Sequence, residues 1–129
     1  MTTFAYLGTG LSSPTKKLDT FPAPPVSWVR FSSEELTSHC PVTHQPDFYR
    51  VFIEYRPAAV CVESKSLKLY LQTFRDSAQF AESLAAEIAR DIDAAIAPHR
   101  VTVTLTQQIR GGLQLEVMAE VAHERNSDS

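Results

Sequence analysis

Apolar residues return at every fourth position from Phe80 through Leu84, Ile88 and Ile92 to Ile96, with Ala85 and Ala95 beside them and Glu87, Arg90 and Asp93 turned away. A stripe of that period is one face of an amphipathic helix and has to be buried against a second layer. The spacing predicts a helix over residues 78–97, opened by Asp76 or Ser77 as N-cap, with Gln79 in capping-box position after Asp76, and stopped by Pro98. Beyond Pro98 the period becomes that of a strand. Val101, Val103 and Leu105 alternate with Thr102 and Thr104, and beyond Gly111-Gly112 the run Leu113, Leu115, Val117, Ala119 and Val121 alternates again. A helix succeeded by an antiparallel pair predicts an α+β unit in which the helix covers a sheet.

Upstream, residues 48–56 place Tyr49, Val51, Ile53 and Tyr55 on one face and Arg50, Glu54 and Arg56 on the other, as a half-buried strand requires. Phe52 interrupts the polar face, so partial cover on both sides is expected. Pro57-Ala58-Ala59 is read as the turn into a second strand over 60–63, giving a hairpin with Glu63 at its end and Cys61 packed inward. Residues 66–74 are assigned to neither state. Residues 1–25, ending in Phe21-Pro22-Ala23-Pro24-Pro25, read as an irregular arm, and 123–129 as a frayed tail. Residues 1–129 are expected to form a single domain. A sheet of few strands with one covering helix leaves edges and a face to protect, which favours a homo-oligomer.

A formal charge of −3 and a pI near 5.8 argue against a nucleic-acid surface and for a small or nucleotide-like ligand. No apolar run approaches the ~18–20 residues of a membrane span, and no basic-then-apolar leader opens the chain. Cys40 and Cys61 stand outside any C-x-x-C or zinc spacing, which predicts a reduced, cytoplasmic protein with no bound metal.

Two segments carry candidate chemistry. Cys40 lies in Ser38-His39-Cys40-Pro41-Val42-Thr43-His44-Gln45-Pro46-Asp47-Phe48, a polar stretch bounded by prolines that reads as a loop, where reactive groups are commonly displayed. Alone, the thiol would be a small buried hydrophobe and Asp47 a turn or cap residue. Beginning 23 positions after Cys40, Glu63-Ser64-Lys65-Ser66-Leu67-Lys68-Leu69-Tyr70 alternates acid, hydroxyl and lysine; by composition it could equally be a strand end with solvated lysines. No G-x-G-x-x-G occurs, so a Rossmann cofactor site is not expected.

Together with Leu18-Asp19-Thr20-Phe21-Pro22, these segments resemble the short, single-module branch of the QueF family of NADPH-dependent nitrile reductases. The resemblance implies a tunnelling-fold subunit that joins its sheet to others in a multi-subunit barrel, with active sites at subunit boundaries. It implies Cys40 as the thiol that adds to a nitrile, forming a covalent thioimide, and Asp47 as the general acid. It also implies Val62, Glu63, Ser64 and Glu82 around a deazapurine substrate, and Lys65, Lys68 and Arg110 around the phosphates of NADPH. The chain departs from the family pattern in three places: Ala81 stands where a histidine precedes the glutamate, His44 replaces a glycine, and Leu113 to Met118 replace the usual sequence after Gly-Gly. His39 or His44 could supply an imidazole in place of the one missing at position 81, or both could be solvent-exposed loop residues. Three functions stay open: reduction of 7-cyano-7-deazaguanine to its aminomethyl product in the queuosine pathway, amidination of a nitrile already in nucleic acid, and purine or pterin binding without turnover.

Overall fold

The computed structural model describes residues 13–123. Its centre is a four-stranded antiparallel sheet in the order β2-β3-β5-β6, formed by Val29–His39, Pro46–Arg56, Arg100–Gln107 and Glu116–Ala122. β1 (Thr20–Pro22) and β4 (Val60–Val62) make a separate two-stranded ribbon. Helix α1 spans Ser64–Gln72 and runs into a single 3₁₀ turn at Thr73–Asp76; helix α2 spans Ala81–Ile96.

The stripe expected for α2 is what it buries. Leu84, Ala85, Ile88, Ala89, Ile92 and Ile96 join Tyr49, Val51, Ile53 and Tyr55 of β3 and Val101, Val103 and Leu105 of β5 in one core. Among the described residues nothing covers the opposite face of the sheet, which leaves Phe48, Phe52 and Met118 exposed. Cys61 packs inward, as its strand period predicted.

The sequence-based helix start is corrected. α2 begins at Ala81 with Phe80 at the N-cap and no side-chain cap. Asp76 closes the 3₁₀ turn instead, and residues 77–79 run alongside the end of β2: His39 N–H donates to Ser77 O, and Gln79 N–H donates to His39 O. Backbone groups committed to a strand edge cannot open a helix, and the Gln79 side chain bonds Ser77 and Glu87. At the far end Ala97 adopts a left-handed conformation (φ 43°) before Pro98, the usual way a helix stops.

The hairpin expected across Pro57-Ala58-Ala59 is also corrected. β3 pairs with β2 on one side and β5 on the other, whereas β4 leaves the main sheet to pair with β1. β1 falls within the arm expected to be irregular, and Ala23 N–H continues the contact by donating to Ala59 O. The second alternating run begins pairing at Glu116 rather than Leu113, because Arg110 and Leu113 close a tight turn through Gly111 and Gly112, both at positive φ. Residues 1–12 of the arm and 124–129 of the tail lie outside the described residues.

Ser66 ties the ribbon to α1. Its buried hydroxyl donates to Glu63 O (2.8 Å) and accepts from Asp19 N–H (2.9 Å). Ser66→Ala should therefore lower unfolding stability by about 1–3 kcal/mol, the range for stranding a buried polar group. It should appear as a lower urea midpoint at unchanged m-value; an unchanged midpoint would show that the tie carries no energy.

Candidate active site

Cys40 and Asp47 stand on either side of the short loop that joins β2 to β3. Ser38 pairs with Asp47 and His39 with Pro46, and the loop closes with Cys40 N–H donating to Gln45 O and His44 N–H donating to Cys40 O, each at 2.9 Å. His44 holds φ 61°, the left-handed region that glycine enters freely and histidine tolerates better than most residues. This turn aims donors at the sulfur. The Thr43 hydroxyl, then the backbone N–H groups of Thr43 and Val42, lower the Cys40 thiol below its ordinary range, while slight desolvation and the Asp47 charge oppose them. Neither His39 nor His44 makes a side-chain hydrogen bond among the described residues, so the thiol's polar partners come from the turn itself.

Asp47 is 5% exposed. Arg110, on the turn between β5 and β6, binds the Asp47 carboxylate with one guanidinium nitrogen and donates to Gln45 Oε1 at 3.0 Å with another. Arg110, expected with Lys65 and Lys68 around the cofactor phosphates, pairs within this chain with Asp47. Glu82 lies in the first turn of α2, exposed, and its charge reaches the Tyr49 phenol together with those of Asp47 and Cys40. Cys40, Asp47, Arg110 and Glu82 thus converge at one end of the four-stranded sheet.

The Glu63 to Tyr70 segment lies elsewhere and divides into two roles. Glu63 is the N-cap of α1 rather than a strand end: its carboxylate accepts from Lys65 N–H (2.8 Å) and Ser66 N–H (2.7 Å). Val62 is buried, with its N–H donating to the Tyr55 hydroxyl at 3.0 Å. Ser64 and Lys68 instead face outward and line a groove of about 430 Å³ with Phe31, Ser33, Glu35 and Arg75. Lys65 is half-buried on the same helix. Neither Cys40, Asp47 nor Glu82 lines this groove.

Two residues of interest escaped the sequence reading. Arg75 adds a cation to the groove and was signalled by standing seven residues, or two helical turns, after Lys68. Thr43 was legible only as a hydroxyl three residues after Cys40. Residues that could hold a dinucleotide phosphate are present at the groove in Lys68 and Arg75, with Lys65 close by in sequence. Among the described residues no His, Cys, Asp and Glu cluster could hold a metal ion, and no helix is long and apolar enough to cross a membrane.

Residues 46–126 match the family described as QueF-like protein. An NADPH-dependent 7-cyano-7-deazaguanine reductase of Frankia casuarinae is 44% identical over 110 residues, covering 84% of this chain and 88% of the relative. The protein of the same name from Thioalkalivibrio sulfidiphilus is 44% identical over 115 residues, covering 87% and 89% respectively. The apo crystal structure of the archaeosine synthase QueF-Like is similar at a TM-score of 0.72 and 27% identity, over 78% of this chain and 98% of that one.

Thr43→Val keeps the side-chain volume and removes the hydroxyl donor to sulfur. The pH midpoint of Cys40 alkylation by iodoacetamide should move upward, since the thiolate loses a hydrogen bond that the thiol does not need. A midpoint that stays in place would assign the lowering to the backbone N–H groups alone.

Proposed function

The chain belongs to the QueF-like family, and from that premise we propose that it is an oxidoreductase that reduces the nitrile of 7-cyano-7-deazaguanine to the primary amine, 7-aminomethyl-7-deazaguanine, with NADPH as cofactor. The observation that carries the reading is the Cys40 loop, in which an activated thiol and a buried carboxylate flank one turn. Names shared by relatives at 44% identity over most of both chains support the substrate and the cofactor. That chemistry places the protein in queuosine biosynthesis, which modifies tRNA, and suits a reducing cytoplasm in which both thiols stay free.

A nitrile accepts hydride poorly, so Cys40 first passes its thiol proton to the ionised Asp47 while its sulfur adds to the nitrile carbon. One C–N π bond breaks, and Asp47 hands that proton on to the nitrogen, leaving a thioimide on Cys40. Arg110 is then the positive charge that accompanies the ionised Asp47. Bound NADPH would supply two hydrides in turn, with the carbon–sulfur bond breaking between them to free Cys40 with its proton restored, so one nitrile consumes two NADPH and two protons overall on the way to the amine. Lys65 and Lys68 hold the cofactor phosphates, with Arg75 extending the cationic wall of the groove. Glu82 accepts N–H bonds from the deazapurine ring, and Val62, Glu63 and Ser64 meet the ring through the start of α1.

The separation of the α1 groove from the Cys40 end supports an assembly in which one copy supplies the first and its neighbour the second. The strands that would join are β2 and β6, the two edges of the main sheet, and closing such edges between copies produces a barrel.

Purified protein mixed with 7-cyano-7-deazaguanine should oxidise two NADPH per nitrile, followed at 340 nm, and Cys40→Ala should abolish this. Intact mass should show the nitrile bound to the wild-type protein and not to the variant. An adduct without NADPH oxidation would move the chain to addition chemistry of another kind, and neither signal would leave a binding protein.

A further inference from the structure

At the Cys40 end of the sheet the inward face contains two hydroxyls with nothing to bond. Ser38 and Tyr49 are 0% and 2% exposed, and neither Ser38 Oγ nor Tyr49 Oη has a hydrogen-bond partner among the described residues. Native proteins pair nearly all such groups, so an unpaired buried hydroxyl asks for a role. Their place in the fold supplies one. Ser38 is the cross-strand partner of Asp47, and Tyr49 lies two residues beyond Asp47 on β3, which puts all three side chains on the same face.

The groups that face the phenol come from each neighbouring element. Asp47 lies on its own strand, Glu82 in the first turn of α2 and Cys40 in the β2–β3 loop, while Arg110 reaches Asp47 from the β5–β6 turn. Burial, then the charges of Asp47, Glu82 and Cys40, push the phenol up from its ordinary range; the Ser38 hydroxyl tempers the shift without reaching full hydrogen-bond geometry. Tyr49 therefore keeps its proton and can donate it in a hydrogen bond to the neighbouring groups that carry negative charge.

We propose that Tyr49, oriented by Ser38, is a positioning residue for Asp47, its O–H donating to the Asp47 carboxylate once the Asp47 proton has passed to the substrate nitrogen. The proposal rests on the reductase reading above. The proton leaves Asp47 and arrives on nitrogen as sulfur bonds to carbon; Tyr49 gains a hydrogen bond, keeps its own proton and needs no further reactant. The role is confined to the step in which Asp47 becomes charged, so it affects turnover more than substrate affinity.

Tyr49→Phe removes the oxygen and keeps the ring, and Ser38→Ala removes the second hydroxyl. Steady-state NADPH oxidation with 7-cyano-7-deazaguanine, thermal melting and the rate of Cys40 alkylation would be measured for each variant and for the double variant. Tyr49→Phe should lower kcat by about tenfold with KM within about twofold, and Ser38→Ala should act in the same direction by less. The double variant should be no worse than Tyr49→Phe, because both hydroxyls act through one hydrogen bond. Melting and alkylation should stay near wild type. An unchanged kcat, a rise in KM alone, or parallel losses in melting temperature and alkylation rate would each overturn the proposal. Wild-type protein that forms no Cys40 adduct and oxidises no NADPH would instead overturn the reductase reading itself, which the variants cannot do.

Discussion

The sheet has one face to bury, and α2 is the longer of the two helices that bury it. Leu84, Ile88 and Ile92 are fully enclosed in one core with Val101, Val103 and Leu105 of β5, Val51 and Ile53 of β3, and Leu67 and Tyr70 of α1. Each such side chain contributes about 1.5–3 kcal/mol on leaving water, so the lie of the helix on the sheet is set by many contacts acting together. That placement fixes where the helix begins. Residues 77–79 are clamped by backbone hydrogen bonds to His39 at the end of β2, and Glu82 comes within one turn of them. A carboxylate on the helix is thereby delivered to the strand end that presents the thiol.

Polar chemistry is then sorted by position in the fold. The Cys40 end gathers a thiol, two carboxylates and a guanidinium around one loop and one turn, while α1 presents Ser64 and Lys68 to a groove beside β2. The Glu63 to Ser66 part of the motif holds this second arrangement together. Glu63 caps the helix and Ser66 links it to the β1 arm, so substitutions there would loosen the groove before touching any ligand. The motif therefore divides between residues that hold the scaffold and residues that face the groove.

Much of this was legible in the sequence where period and burial agree. The α2 stripe and the inward residues of β3 and β5 read correctly because each faces one dry surface along its whole length. β2 was missed because it is an edge strand rich in Ser and Glu, with a shift in register between Ser33 and Leu36 that breaks its alternation. α1 was missed because its cap is Glu63, outside the usual Ser, Thr, Asp or Asn, and because its first turn is polar. Pairing of β4 with β1 depends on a contact between distant segments, which no local pattern encodes. Of the site, Cys40 and Asp47 were visible as neighbours, but the turn toward Arg110 and the burial of Tyr49 exist only once β2, β3 and β5 are side by side.

The replacement of histidine by Ala81 bears on the chemistry through what activates the sulfur. Had the thiol depended on an imidazole, its loss would have left Cys40 inert. The donors that lower Cys40 are instead the Thr43 hydroxyl and two backbone N–H groups of the same turn. That turn requires a left-handed residue at position 44, which histidine adopts at a cost of about 1 kcal/mol or more where glycine would adopt it without strain. The cost is met by a closed loop, with Cys40 and His44 bonded through their backbones and Gln45 held by Arg110. The groups that lower the Cys40 thiol therefore belong to its own loop, the Thr43 hydroxyl first and two backbone N–H groups after it, and a change at position 81 leaves them in place.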